Sequence, residues 1–281
     1  ENDQMKYGSD YKFIPATSIG SGLGVEVVSD VYCYTNQIVN LCFIGEKNKE
    51  GFVIVDTGMP KSAEEIISVA KERFGETARP KAILLTHGHF DHVGSVIELV
   101  DYWEVPVYAH ELEIPYLTGK LKYIEPDPTV EGGLVAKMSR LFPNEPIDLG
   151  NHVQPLPANG NVPELSDWKW IHTPGHTEGH VSFYREKDRL LIVGDAFVTV
   201  KQENLYDVYM QEEEISGPPR YFTPDWTSAW ESVKKLEKLQ PEIAITGHGI
   251  PMKGRNLRNN LKLLAEHFDS IAIPSYGKYI N

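Results

Sequence analysis

The chain lacks the features expected of a secreted scaffold or a membrane protein. Its 281 residues include only two cysteines, Cys33 and Cys42, which excludes a disulfide-dense fold. We interpret both as reduced packing residues in neighbouring strands, with a disulfide across the hairpin as the alternative. No apolar run approaches the roughly 20 residues that span a bilayer, and the first residues, ENDQMKYGSDYKF, lack a basic and apolar signal pattern. We therefore expect a cytoplasmic protein with no membrane partner.

Basic residues are scarce relative to acidic ones. With 27 Lys plus Arg against 40 Asp plus Glu, the formal net charge is −13 at pH 7. Non-specific nucleic-acid binding depends on attraction between basic side chains and phosphates, so we expect no nucleic-acid partner. The chain also lacks a low-complexity linker. Its 41% hydrophobic and 24% charged residues are typical of a folded protein that buries a sizeable core.

Hydrophobic patterning predicts two groups of strands, each accompanied by helices. The first group is a meander of β-rich runs over 24–36, 38–46 and 51–58. It continues with a helix that opens at Pro60 and ends at Gly75, and with strands and a helix over 81–110. In the second half we predict strands over 168–176, 179–197 and 242–249, a helix capped by Thr223, and a helix over 256–271.

These elements predict an α/β fold of the α+β type, an αββα sandwich of two mixed sheets flanked by helices. The length allows one or two packed units, and we predict a single domain over 1–281. Between about 111 and 165 the pattern is loose and rich in proline, which indicates an insertion. Its apolar stretches suit a lid or a homodimer interface.

The segment THGHFDHVG, residues 86–94, places three histidines and one aspartate within six positions, directly after the apolar run KAILL. His87 and His89 are two apart and share one side of an extended segment, and the following loop can turn Asp91 and His92 toward the same space. Crowding these groups for packing alone would cost desolvation, so a metal site is the better interpretation. These ligand types suit zinc, and they also suit Fe, Mn, Co or Ni.

The other histidines lack such a setting. We interpret His110, His152 and His267 as ordinary surface or core residues, and His172 and His180 as strand or supporting residues. The segments LLTHGH, IHTPGH, IVGDA and AITGHG all run from an apolar strand into a polar turn. This shared pattern predicts that the four loops converge on one edge of the sandwich.

Five motifs occur in an order that resembles the metallo-β-lactamase superfamily. THGHFDHVG resembles its HxHxDH signature, VIVDTG lies upstream, and TPGHTEGHVSF, VGDAF and TGHG follow downstream. The resemblance runs from about residue 30 to 255 and implies the metallo-β-lactamase fold with two divalent metal ions, zinc first among them. It assigns His87, His89 and His176 to one metal and Asp91, His92 and His248 to the second, with Asp195 bridging both.

The resemblance also implies how such a site works. Two metals can hold a hydroxide and polarise a substrate carbonyl or phosphoryl oxygen, and Asp91 can pass a proton to the leaving group as the candidate catalytic residue. Asp56 in VIVDTG resembles the buried aspartate that supports the ligand loop. Candidate pocket residues are the apolar Phe90 and Phe197 and the loop tyrosines Tyr206, Tyr209 and Tyr221.

The predicted reaction is hydrolysis of an ester, lactone or related acyl bond in a small molecule. A long insertion and a full ligand set resemble the acyl-homoserine lactonases, although Val198 stands where those enzymes usually carry a tyrosine. A thioesterase of the glyoxalase II type is a second candidate, but Arg255 and Arg258 are the only arginines near the carboxyl-terminal tail. The ligand set is also compatible with an iron-loaded oxidoreductase, for which no flavin-binding appendage is visible, and with a non-catalytic metal-binding protein.

Overall fold

The computed structural model describes residues 4–11, 20–129, 143, 145–200 and 214–275, without the side chain of Tyr221. These residues form two compact units, the first mainly from Ser21–Tyr123 and Pro143–Leu165 and the second mainly from Ser166–Asn281. Among the described residues, no helix is both long and apolar enough to cross a membrane.

The first unit contains a seven-stranded mixed sheet whose strands follow chain order. The predicted meander is confirmed, because β1 to β4 pair antiparallel, whereas β4 to β7 pair parallel. Cys33 and Cys42 face each other across β2 and β3 as free, buried thiols, as interpreted from the sequence. The strands are β1 (Gly24–Val28), β2 (Val31–Asn36), β3 (Val39–Ile44), β4 (Val53–Val55), β5 (Ala82–Leu84), β6 (Val107–Ala109) and β7 (Val153–Pro155).

Among the described residues, the helices that accompany this sheet are α1 (Ala63–Phe74), α2 (Phe90–Val93), α3 (Val96–Trp103) and α4 (Ile114–Leu117). The predicted start of α1 at Pro60 is wrong by three residues, because Lys61 adopts a left-handed backbone with φ of 63°. Ile66, Ala70 and Phe74 form the buried stripe that the sequence indicated. They pack into a hydrophobic cluster with β3 to β6 side chains such as Phe43.

In the second unit the described strands lie in the sheet order β13-β12-β11-β10-β9, where β11 and β12 pair parallel and the other neighbours pair antiparallel. Its strands are β9 (Leu165–His172), β10 (Val181–Arg185), β11 (Leu190–Gly194), β12 (Ile243–Thr246) and β13 (Met252–Lys253), and a short β8 (Asn161–Val162) precedes them. Its helices are α5 (Trp226–Lys238), α6 (Gly254–Glu266) and α7 (Phe268–Ile271).

Two helix predictions in this unit need correction. The residue that caps α5 is Asp225, whose side chain accepts a hydrogen bond from the Ser228 amide at 3.0 Å, and not Thr223. The helix predicted over 256–271 is divided, because His267 leaves helical geometry with φ of −123° and ψ of 32°. The residues after it resume as α7, and Phe268 remains in the core.

Two mixed sheets with flanking helices confirm the predicted fold class. The predicted insertion at 111–165 contributes α4 and β7 to the first unit. Residues 130–142 and 144 of that insertion lie outside the described part of the chain. A single domain over the whole chain, with a lid or an interface at 111–165, stays a prediction.

Candidate functional site

The histidine-rich segment follows β5 and leads into the single turn of α2. His87, His89, Asp91 and His92 are all buried. The rings of His87 and His92 lie with centroids 4.2 Å apart, those of His87 and His89 lie 4.9 Å apart, and Asp91 Oδ2 lies 3.6 Å from His92 Nε2. The sequence predicted a loop at Asp91 and His92, whereas the helical turn of α2 carries them.

Asp56 supports this segment from the end of β4. Its carboxylate accepts three hydrogen bonds, from the Thr86 amide at 2.8 Å, the Thr86 hydroxyl at 2.7 Å and His92 Nδ1 at 2.7 Å. The Thr86 hydroxyl, having donated to Asp56, accepts from His87 Nδ1 at 3.0 Å. These bonds place the ring protons of His87 and His92 on Nδ1 and leave Nε2 as the unprotonated nitrogen.

A second carboxylate contacts the same segment. The Gly88 amide donates to Glu113 Oε2 at 2.9 Å and to the Tyr123 hydroxyl at 3.1 Å, and that hydroxyl donates to Glu113. Burial and the adjacent Glu113 raise the pKa of the Tyr123 phenol well above its usual value. Sequence analysis missed both residues, because they lie in the loosely patterned segment and belong to none of the five motifs.

In the second unit, Asp195 lies between two histidines. Its Oδ2 is 3.3 Å from His176 Nε2 and 3.4 Å from His248 Nε2. Asp195 follows β11, His248 follows β12, and His176 follows β9 after the turn at Gly175. All three side chains are buried. One carboxylate oxygen therefore lies close to both imidazoles.

His180 holds the backbone of Asp195 in place. Its Nε2 accepts from the Asp195 amide at 2.9 Å, and its Nδ1 lies 2.8 Å from the Thr173 hydroxyl. Thr173 then contacts Ser182 at 3.1 Å, and Ser182 donates to the Val193 carbonyl at 2.8 Å. Because Nε2 must accept, His180 is neutral with its proton on Nδ1. The supporting role that the sequence indicated for His180 agrees with this network.

The loops that contain His176 and His248 are fixed by threonines and by close packing. Thr223, which does not cap α5, donates to the Pro219 carbonyl at 2.8 Å and lies 3.3 Å from His176 Nδ1. Thr246 donates to the His248 carbonyl at 2.7 Å. At Gly175, with φ of 132°, a Cβ would lie 2.4 Å from the Ala229 amide nitrogen, so the turn into His176 requires glycine.

Of the five predicted pocket residues, the structure describes the side chains of two. Phe90 is buried at the start of α2, and Phe197 is buried in the hydrophobic cluster of the second unit. Tyr206 and Tyr209 lie outside the described residues, as does the side chain of Tyr221. Contact of these five residues with a substrate stays a prediction.

The donor set in each unit fits divalent metal ions. Asp91 accompanies three histidines in the first unit, and Asp195 accompanies two in the second. Burying one carboxylate costs on the order of several kcal/mol, because the charge loses its contact with water. A bound cation offsets that cost. Imidazole nitrogen and carboxylate oxygen are ligands of zinc and of several other divalent transition metals.

A family model described as the metallo-beta-lactamase superfamily matches residues 35–248. The chain therefore belongs to the metallo-β-lactamase superfamily, and this membership supports a hydrolase. A probable metallo-hydrolase of Bacillus subtilis (strain 168), YflN, is 51% identical over 260 residues, which cover 92% of this chain and 98% of that relative. A hydroxyacylglutathione hydrolase of Wigglesworthia glossinidia brevipalpis is 27% identical and covers 77% of this chain, but the match spans 64% of that relative.

Solved structures share the fold. The B3 metallo-β-lactamase BLEG-1 matches with a TM-score of 0.55 and 28% identity, over 82% of this chain and 92% of that one. The protein TTHA1623 in a di-iron-bound form matches with a TM-score of 0.50 and 28% identity, over 81% of this chain and 92% of that one. The second of these neighbours contains iron, so the fold leaves the choice of metal open.

Proposed function

We propose that the chain is a dinuclear metal-dependent hydrolase that cleaves an ester, lactone or related acyl bond of a small molecule, with zinc as its metal. The observation that carries this proposal is a set of seven buried imidazole and carboxylate side chains distributed over the ordered motifs of the family. His87, His89 and His176 would hold one metal, Asp91, His92 and His248 would hold the other, and Asp195 would serve both.

When bound, two divalent cations lower the pKa of a coordinated water and polarise the substrate carbonyl. The protein contributes orientation and proton transfer. Asp56 and Thr86 keep the Nε2 atoms of His87 and His92 unprotonated, and His180 fixes the backbone of Asp195. Water adds across the acyl bond, so its oxygen joins the carbonyl carbon while Asp91 delivers a proton to the leaving oxygen.

An uncharged acyl substrate is favoured over a glutathione conjugate. Arg258, one of two arginines near the carboxyl-terminal tail, pairs with Glu242, which also contacts Arg189 at 3.4 Å. The pairing neutralises part of the charge that a glutathione carboxylate would need. Val198, at the place where the related lactonases carry a tyrosine, is buried. A lactonase reaction here would therefore proceed without a hydroxyl at that position.

The test is the pH-stat hydrolysis rate of zinc-loaded protein on short and long acyl lactones, a glutathione thioester and an aryl phosphodiester. We expect lactone turnover that Asp91→Asn lowers by a factor on the order of 10² to 10⁴, because the proton donor is lost. Asp101→Asn, the same change at an exposed residue of α3, should keep the full rate. Full activity of Asp91→Asn at normal metal content would contradict the assigned role.

A glyoxalase II-like thioesterase is the second candidate, and the similarity to a hydroxyacylglutathione hydrolase favours it. Turnover of the thioester alone would select this reaction. Iron-dependent redox chemistry is the third candidate, supported by the di-iron form of a structural neighbour. Iron in the purified protein, together with no hydrolysis of any acyl substrate, would select redox chemistry.

We also propose a cytoplasmic location, since two opposed cysteines remain free thiols where the compartment is reducing. Association into a homodimer through the 111–165 segment is a separate proposal. Light scattering of the purified chain tests it, and a monomeric mass at micromolar concentration would contradict it.

A further inference from the structure

The glycine between His87 and His89 is held by side chains outside the family motifs. Its amide donates a bifurcated hydrogen bond to Glu113 Oε2 at 2.9 Å and to the Tyr123 hydroxyl at 3.1 Å. That amide belongs to the peptide that joins His87 to Gly88. Fixing its direction therefore constrains the adjoining torsions, ψ of His87 and φ of Gly88, and so the backbone from which the His87 imidazole projects and the path of the chain into His89.

Glu113 and Tyr123 are themselves fixed by their surroundings. Glu113 is fully buried, and its carbonyl accepts the Leu117 amide at 3.1 Å at the start of α4. The Tyr123 ring stacks on Tyr116 with centroids 4.3 Å apart and an angle of 7°. It also meets the ring of His89 edge-on, with centroids 4.6 Å apart. The pair thus contacts the ligand segment through both its backbone and a ring.

The space at Gly88 is closed by the same side chains. A Cβ there would lie 2.4 Å from the Tyr123 hydroxyl, 2.8 Å from Leu117 Cδ2 and 3.3 Å from Glu113 Oε2. Any side chain at this position would displace the contact. The middle residue of the His-Gly-His sequence is therefore glycine because the hydroxyl and carboxylate approach its backbone closely.

Burial of the Glu113 carboxylate costs free energy that packing alone does not require. An apolar side chain of similar size at position 113 would avoid the desolvation cost of a buried charge, which is on the order of several kcal/mol. Charge-assisted hydrogen bonds to a backbone amide give directional control that apolar packing does not. Asp56 acts in this way on Thr86 and His92, and Glu113 acts on the peptide two residues further along the segment.

We propose that Glu113 and Tyr123 are positioning residues that set the geometry of His87 and His89 for one metal ion of the centre. This inference rests on the proposed dinuclear function. Outer residues that orient metal ligands typically change metal affinity by a factor of about 10 to 100 when they are replaced. Asp56 orients His92 directly, so the two buried carboxylates act on different parts of the ligand set.

The test is a Co²⁺ titration of the metal-free full-length chain, followed by d–d absorption and by competition with a chelating indicator. Tyr123→Phe and Glu113→Gln should weaken one of the two Co²⁺ sites by a factor of about 10 to 100 and change its absorption band, leaving the other site unchanged. Gly88→Ala should have the same effect. The matched controls Tyr102→Phe and Glu111→Gln change exposed residues and should bind Co²⁺ like the unmodified chain.

Thermal unfolding of each metal-free variant separates positioning from folding. Lower melting temperatures with unchanged Co²⁺ affinities and spectra would overturn the inference, since Glu113 and Tyr123 would then serve stability alone. Tyr123→Phe, the smaller change, keeps the test valid if Glu113→Gln does not fold. Two tight Co²⁺ sites in every variant would also overturn it while leaving the dinuclear centre intact. Absence of Co²⁺ binding by the unmodified chain would instead refute the proposed function, and this inference with it.

Discussion

Single hydrogen bonds decide which ring nitrogen of each histidine carries its proton. Asp56 and Thr86 place the protons of His92 and His87 on Nδ1, and the Asp195 amide forces His180 to accept through Nε2. Threonines are common at strand ends, so the sequence alone assigns no chemistry to those that precede the ligands. The network shows Thr86 as the link between a carboxylate and a ligand ring, and no spacing rule predicts that link.

Asp56→Asn tests the support of the ligand segment. Asp56 has φ of 67°, a left-handed backbone that asparagine also tolerates, so the backbone should be kept. The amide group replaces the carboxylate oxygen that accepts from His92 and Thr86, or the one that accepts from the Thr86 amide. We expect metal affinity to fall by a factor of about 10 to 100, measured by chelator competition.

The control for this change is Asp101→Asn on the exposed face of α3, which should leave metal affinity unaltered. Unchanged affinity in Asp56→Asn would mean that the ligand rings hold their orientation without the carboxylate.

Strand ends carry most of the candidate ligands, and the sequence predicted this arrangement. Apolar runs followed by histidine or aspartate predicted β5, β11 and β12 and the turns after them. Helix boundaries were less predictable. Because Lys61 has a left-handed backbone, α1 begins after it and not at Pro60. Asp225, not Thr223, caps α5 because its side chain accepts a hydrogen bond from the Ser228 amide. The one-turn helix α2 carries no periodic signal, because four residues complete barely one turn.

Close backbone contact between α2 and the loop after β4 limits which residues position 94 accepts. A Cβ at Gly94 would lie 2.2 Å from the Met59 carbonyl carbon and 2.3 Å from the Pro60 nitrogen. Because backbone cannot move aside as a side chain can, Gly94→Ala should lower the free energy of unfolding by about 3 kcal/mol in urea denaturation.

Gly22→Ala provides the comparison, since nothing lies within 4 Å of its Cβ position and only the left-handed φ of 81° is strained. That strain should cost about 1 kcal/mol. Equal losses in the two variants would argue against close packing at Gly94.

Candidate ligands occur in both compact units, and the sequence predicted the two groups of strands that carry them although it predicted a single domain. Family motifs predicted the seven candidate ligands because each stands in a motif of fixed order. Glu113, Tyr123 and Thr223 were not predictable in this way, because their contacts join segments far apart in sequence. The opposed pair Cys33 and Cys42 was predictable for the opposite reason, because these residues lie in consecutive strands whose register follows from local pattern.

Two tyrosines, the buried Tyr34 and the half-buried Tyr7, make the protein less stable at alkaline pH. Burial and hydrogen bonding to Glu65 raise the pKa of Tyr34, and burial with Glu98 raises that of Tyr7. Unfolded tyrosines ionise near pH 10, whereas these stay protonated in the folded state, so the folded state binds more protons above about pH 10. Stability should therefore be fully present below about pH 10 and fall as the pH rises further.

Urea denaturation from about pH 8 to about pH 11 measures this decline. Tyr34→Phe removes one of the responsible phenols and should give a shallower decline than the unmodified chain. An identical decline in both proteins would show that Tyr34 ionises alike in the folded and unfolded states.

A hydrolase that uses two metal ions on one acyl bond needs two ions per chain for full activity. One titration measures this ratio. Metal-free protein is titrated with Zn²⁺ while the hydrolysis rate of an acyl lactone is followed. We expect the rate to rise to a plateau at two equivalents of Zn²⁺ per chain. A plateau at one equivalent, or no rate at any Zn²⁺ concentration, would contradict a dinuclear hydrolytic centre.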